Sequence, residues 1–211
     1  MCSSDLPQKY VGVYLAHIFL KVNLLKYIHM NHQLKIAVSG AAQTGICTED
    51  IKDLAMELGK EIVKQGCVLI TGATTGAPHL AAKGAKEAGG ISIGFSPAAS
   101  MDSHVKAYKL PTDAFDVIVY TGFDYAGRNL LMTRAADGLI LLCGRMGTLN
   151  EFTIAFEDQK PIGVLEGSGG TADRIRDLVR MPFRGKKTIV YDQDPKKLVA
   201  RLIKAIKKGR E

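Results

Sequence analysis

Leu139-Ile-Leu-Leu142 is apolar without alternation, and it runs straight into a turn holding Gly144 and Gly147, followed by Phe152, Ala155 and Phe156 at helical spacing. An uninterrupted apolar run suits a strand covered on both faces, and the helical period after it lays a helix back over that strand. The unit is repeated. Lys35–Ser39 reads as a strand, Gly40–Gly45 as a turn of small residues, and Ile51, Leu54, Ala55, Leu58 and Ile62 as the buried stripe of a helix that Thr48 can cap and Gly66 closes. Cys67–Thr71, the turn Gly72–Gly76, a helix over Ala77–Ala88 and a strand over Ile91–Phe95 follow.

Further along, Asp116–Tyr120, Pro161–Leu165 and Lys187–Tyr191 read as strands, with helices over Gly122–Ala136, from Thr171 to about Val179, and after the cap pair Asp194-Pro195. Alternation of this kind predicts an α/β fold: a Rossmann-like three-layer sandwich whose mostly parallel sheet has about six or seven strands, with ligands bound outside the strands' carboxyl ends. Residues 33–211 form one domain on this reading, since 211 residues at 46% hydrophobic content suffice for one sizeable core without a break in composition. Ser96–Pro111 is irregular, with Met101–Tyr108 as a short helix that serves either as a lid or as a plain connector.

Residues 1–32 do not fit the pattern. Tyr10–Leu20 is dominated by apolar residues but too short to span a bilayer, and no small-residue cleavage site follows it. Met30 stands just before the first strand, so the segment reads as an upstream extension from a misassigned start, or as a peripheral helix. On the first reading, deletion of residues 1–29 leaves a folded protein with an unchanged melting temperature, and a collapse of that temperature would contradict it.

Cys2, Cys47, Cys67 and Cys143 are widely spaced, with no C-x-x-C pair and no His at ligand spacing. They predict neither a metal site nor a disulfide framework, but the reduced thiols of a cytoplasmic protein. The net charge of +7 is concentrated toward the C-terminus, where Lys196, Lys197, Arg201, Lys204, Lys207, Lys208 and Arg210 accompany an apolar stripe of Leu198, Leu202, Ile203 and Ile206. That is the pattern of a packed helix with a solvated basic face, and no aromatic residues are interleaved to stack bases, so nucleic acid is not the expected partner.

A helix opening at Gly147-Thr148 aims unpaired backbone N–H groups and the positive end of its dipole over the end of its strand, which makes an anion site. Glu151 sits one turn inside that helix. Two readings stand for it: a carboxylate placed to meet ribose hydroxyls or positive charge developing in a reaction, or a first-turn acidic residue favoured by the dipole. No G-x-G-x-x-G follows the first strand, no acidic residue ends the second, and the Gly72 turn lacks the G-K-[ST] of a P-loop, so no nucleotide cofactor is expected. His79 and His104 lie in candidate site loops, where structural or solvated roles are the simpler reading.

Cys143-Gly-Arg-Met-Gly-Thr-Leu-Asn-Glu151 resembles the P-G-G-x-G-T-x-x-E signature of the Lonely-Guy (LOG) family, with Cys143 in place of the proline and Arg145 in place of the second glycine. Leu69–Ala77 resembles the family's other Gly-rich loop, and Gly127–Met132 its R-K-x-x-M helix, so the resemblance runs from about Lys35 to Leu165. It implies a homodimer that cleaves a nucleoside 5′-monophosphate, or a related phosphorylated small molecule, to free base and ribose 5-phosphate.

By the resemblance, Glu151 and Arg128 would be catalytic, with a purely structural Arg128 as the alternative. Ser39, Gly40, Thr71, Gly72, Gly76, Gly144, Arg145, Gly147 and Thr148 would bind the phosphate and nucleotide. Arg145 either adds a cation at the phosphate or blocks a positive-φ conformation of the turn. The wider superfamily is similar to molybdenum-cofactor carriers and to the DNA-processing protein A that loads recombinase on single strands. Hydrolase, nucleotide or cofactor carrier, and nucleic-acid binder therefore all remain open.

Overall fold

The computed structural model describes residues 33–180 and 188–209, so the N-terminal extension and its start-site reading lie outside the described residues. Seven strands form one sheet: β1 (Lys35–Gly40), β2 (Val68–Thr71), β3 (Ser92–Ser96), β4 (Val117–Tyr120), β5 (Gly138–Leu142), β6 (Ile162–Leu165) and β7 (Ile189–Asp192). Their order is β4-β3-β2-β1-β5-β6-β7, and every pairing is parallel. The chain therefore builds outward from β1 to β4, then returns to lay β5 against the free side of β1. The gap between the carboxyl ends of β1 and β5 is the switch point at which open α/β sheets bind ligands.

The apolar runs divide between two cores because successive strand residues face opposite sides of the sheet. Ile36, Val38, Leu69, Ile140 and Leu142 point to one side, where they meet α1 (Ile51–Lys64), α2 (Ala77–Glu87) and, from the end of the chain, a helix over Pro195–Lys208. Ala37, Ile70, Leu139 and Leu141 point to the other, against α3 (Asp124–Ala135), α4 (Met146–Glu157) and α5 (Ile175–Leu178). The Pro195–Lys208 helix is α6. It buries Leu198, Val199, Leu202, Ile203 and Ile206, and the carboxylate of Asp194 caps it by accepting from the N–H groups of Lys196 and Lys197 at 2.8 and 3.3 Å. Lys196, Lys197, Arg201, Lys204, Lys207 and Lys208 are exposed on the other face, as the spacing implied, and Arg210 lies outside the described residues.

Two caps differ from expectation. Thr48 does not cap α1: its carbonyl accepts from Ile51 N–H, Asp50 takes the cap position without a side-chain bond, and the Thr48 hydroxyl is buried without a partner among the described residues. The reason is that Thr48 N–H is already committed to the carbonyl of Ser168, which fixes this residue against the β6 loop. Thr171 already has helical dihedrals, so its hydroxyl donates to the Arg145 carbonyl instead of capping the single 3-10 turn Ala172–Arg174 ahead of α5. Ser103–Ala107 is a π-helical turn within the expected Met101–Tyr108 segment, and none of its residues lines the cleft described next.

Candidate functional site

A cleft of about 480 Å³ opens over the ends of β1, β2 and β5, within the usual range of small-molecule sites. Ser39, Gly40, Gly72, Arg128, Arg145, Gly147, Thr148 and Glu151 line it, which brings together eight of the residues singled out in the sequence. Thr71, Gly76 and Gly144 do not line it but shape it. Thr71 Oγ1 accepts from Ala73 N–H, and a Cβ on Gly76 would lie 2.3 Å from the Ala41 carbonyl oxygen. A Cβ on Gly144, at φ +103°, would strike the Thr148 side chain. His79 and His104 are absent from the lining: His79 pairs with Asp113, and His104 is buried between the Ser96 hydroxyl and the Pro111 carbonyl.

Arg128 and Glu151 form the floor. Arg128 comes from α3, only 5% exposed, and its guanidinium lies across the bare backbone of Gly72, where any Cβ would fall 1.5 Å from Nη1. The Tyr125 ring lies 5.7 Å from its Cζ, and Nε has no hydrogen-bond partner among the described residues. Glu151, 6% exposed, stands with Oε1 at 4.0 Å from Arg128 Nη1, while the Ser39 hydroxyl donates to Oε2. Asn129 Nδ2 donates to Asn150 Oδ1 at 2.9 Å; with the amide turned over, its nitrogen would instead donate to Glu151 Oε1 and to the Tyr125 carbonyl, both at 2.9 Å.

Burial dominates the electrostatics of this pair. It raises the Glu151 pKa above its ordinary 4.5, against the pull of Arg128 and then of Ser39. It likewise lowers the Arg128 pKa below the usual guanidinium range, with Glu151 opposing. A carboxyl whose pKa rises on folding favours the folded state fully below its unfolded value, and that contribution is lost as pH climbs through the folded value. Glu151→Gln removes the loss. Relative to the variant, the unliganded parent is expected to lose melting temperature from about pH 4.5 upward, and a pH-independent difference between the two would contradict this assignment.

The mouth is built by two loops. After β5, Cys143 (φ +56°) and Gly144 reverse the chain, and Arg145 follows with an ordinary negative φ of −130° before α4 begins. Arg145 therefore adds a cation and does not block a left-handed conformation. Its guanidinium donates to Gln43 Oε1 at 3.1 Å, across from the loop after β1. A Cβ on Gly147 would meet open space, so the first N–H groups of α4 stay approachable.

The expectation of reduced thiols fails here: Cys47 and Cys143 are joined by a disulfide, with Cα atoms 5.6 Å apart. A separation of 96 residues hides this pairing from any local spacing rule. Sequence reasoning also missed the segment after β6. Ser168 Oγ accepts from Cys143 N–H at 2.8 Å and donates to the Leu165 carbonyl, while Thr171 and Ala172 N–H groups bond the carbonyls of Gly144 and Cys143. The small residues Gly167–Gly170 were the available signal, because they let that backbone press against the turn; a Cβ on Gly170 would sit 2.3 Å from the Gly144 oxygen. Asn129 and Tyr125 were missed as well, lying on the same helix as Arg128. Among the described residues no group of three His, Cys, Asp or Glu side chains could hold a metal ion, and no helix is long and apolar enough to cross a membrane.

A Rossmann-like sheet with a small-molecule cleft at its switch point defines the class. The chain belongs to the SLOG cluster4 family, whose model matches residues 33–199. An uncharacterized protein of Archaeoglobus fulgidus is 30% identical over 133 residues, which covers 63% of this chain and 82% of the relative. Among solved structures, the molybdenum cofactor carrier protein of Chlamydomonas reinhardtii superposes with a TM-score of 0.66 at 26% identity, covering 84% of this chain and 99% of its own. The molybdenum cofactor binding protein of Rippkaea orientalis gives 0.66 at 28% identity, covering 83% and 98%.

Proposed function

We propose that this protein binds and carries a phosphorylated heterocyclic compound without cleaving it, and that the molybdenum cofactor, a pterin phosphate, is its favoured cargo. The observation that carries the reading is the burial of Glu151 against the protein's own side chains. Hydrolysis of an N-glycosidic bond needs an ionised carboxylate facing the ribose, where it stabilises oxocarbenium character. Here Glu151 is only 6% exposed, with Oε2 accepting from the Ser39 hydroxyl and Oε1 4.0 Å from Arg128 Nη1, so the carboxylate is held by the protein's own side chains and offers little of itself to a ribose. The likeness to two solved proteins named for the molybdenum cofactor supports the choice of cargo. In this role the N–H groups of Gly147 and Thr148, with Arg145, hold the phosphate, and Arg128 with its unpartnered Nε supplies a buried donor to the rest of the ligand. The metal would arrive already chelated by the cargo, so the protein need not ligate it.

The second reading is a nucleoside 5′-monophosphate phosphoribohydrolase, favoured by the meeting of Arg128 and Glu151 in one cleft at 4.0 Å. Calorimetric titration with AMP, beside an assay for released adenine, separates the two. Saturable binding without free base, unchanged in Glu151→Gln, is expected of a carrier. Base release that falls by about two to four powers of ten in Glu151→Gln would establish the hydrolase. The assembly we propose is a homodimer, supported by the apolar side chains Val117, Val119 and Leu131 left exposed on the edge strand β4 and on α3. Light scattering that reads only monomer at micromolar concentration would contradict it.

A further inference from the structure

We propose that Cys47–Cys143 is a thiol–disulfide exchange site that opens and closes the mouth of the cleft, with a dithiol as the reductant it takes. One wall of the mouth is the loop after β1, of which Ala41, Ala42 and Gln43 line the cleft. Its single 3-10 turn, Thr44–Ile46, has no fully buried residue, and Ile46 is 43% exposed, so little apolar packing holds it in place. At its near end the loop is tied by Ala77 N–H to the Ala41 carbonyl and by the Thr75 hydroxyl to the Ala42 carbonyl. At its far end it is tied by the disulfide and by one backbone bond, from Thr48 N–H to Ser168 at 3.3 Å, beside a short bridge between Cys47 and Gly169. Across the mouth the Arg145–Gln43 bond joins exposed side chains, and such contacts hold loosely.

The opposite wall begins at Cys143, a non-glycine residue at φ +56° immediately before the Gly144 turn and the N-terminus of α4. The disulfide therefore joins the two walls covalently and holds Cys143 in a backbone conformation that its side chain disfavours. The two residues differ in exposure: Cys143 is 0% exposed, whereas Cys47 is half-buried and packs against the edge of the core. A thiolate of the incoming dithiol attacks Cys47 Sγ, the S–S bond breaks, and its electron pair leaves on Cys143 Sγ, which takes a proton. The second thiolate of the dithiol then attacks its own sulfur in the mixed disulfide and expels the Cys47 thiolate, which is protonated in turn. Two electrons pass from the dithiol, now a cyclic disulfide, to two cysteine thiols. The freed wall must be ordered again when a ligand binds, so the reduced protein binds more weakly.

The effect on binding rests on the cleft being a ligand site, whereas the opening of the wall does not. The experiment uses the full chain, oxidised or treated with excess dithiothreitol, with AMP as the probe. A non-reducing digest should contain a peptide linking Cys47 to Cys143. Reduction should speed amide exchange of residues 41–48 and 143–148 by about tenfold or more, leave β1 and β5 unchanged, and weaken AMP binding by about tenfold, the scale of a local opening. Cys47→Ser should behave as the reduced protein and ignore dithiothreitol. Absence of the linked peptide would overturn the proposal, and so would a linked protein whose loop exchange does not change on reduction. Faster exchange without AMP binding in either form supports the exchange site and removes AMP as a ligand of the cleft.

Discussion

Gly84→Ala is expected to destabilise the protein by about 3 kcal/mol, at the upper end of what overpacking costs and opposite in sign to its effect on an exposed helix, where alanine is favoured by about 1 kcal/mol. The reason lies where α1 crosses α2. A Cβ on Gly84 would stand 2.1 Å from the Met56 carbonyl oxygen and 2.8 Å from its carbon, both backbone atoms that cannot turn aside as a side chain could. Gly59 faces the same crossing from α1, with its Cβ position 1.9 Å from the Ala81 carbonyl oxygen. The two helices meet backbone to backbone, and they flank the loops after β1 and β2. Forcing them apart strains the contact between the two loops, where Ala77 N–H donates to the Ala41 carbonyl. Denaturant unfolding with an unchanged m-value reads the loss, and a variant as stable as the parent would show that the crossing relaxes freely.

That crossing also marks a limit of the sequence. Ile51, Ala55, Leu58 and Ile62 announce a helix and its buried face, because apolar side chains at helical spacing have no other use. Gly59 and Gly84 carry no such signal, since a helical glycine reads as a weak point until the second backbone is seen beside it. The same holds at the site. Glu151, Arg128 and the Gly144–Thr148 turn were legible because each belongs to a local motif, and β1, β2 and β5 were legible as apolar runs. Asn129, Ser168 and the Cys47–Cys143 bond were not, because their roles depend on which strands lie adjacent. The order β2-β1-β5 brings residue 47 to residue 143, and no periodicity encodes that order.

Arg128→Ala carries the largest expected effect on binding, a loss of about 100-fold in affinity for a phosphorylated ligand. A buried, charge-assisted donor contributes roughly 1.5–3 kcal/mol, and among the described residues Nε has no competing partner. Arg128→Lys should recover little, because an ammonium cannot lie flat over Gly72 as the planar guanidinium does. The loss in fold stability should be smaller than the loss in binding, since the guanidinium is already desolvated without full satisfaction. Removing Arg128 also takes away the charge that lowers the Glu151 pKa, so that carboxyl should titrate still higher. Calorimetry beside thermal unfolding separates these effects. Equal losses in both would assign Arg128 a structural role.

On the proposed function, the cleft holds the molybdenum cofactor intact. The most direct test is to incubate the purified protein with cofactor released from a molybdoenzyme, remove the unbound fraction, and record native mass spectra together with the molybdenum content. The expected result is the mass of one intact cofactor per chain with stoichiometric molybdenum, retained by the parent and lost in Arg128→Ala. A protein that retains no cofactor, while releasing free base from a nucleoside monophosphate, would contradict the account.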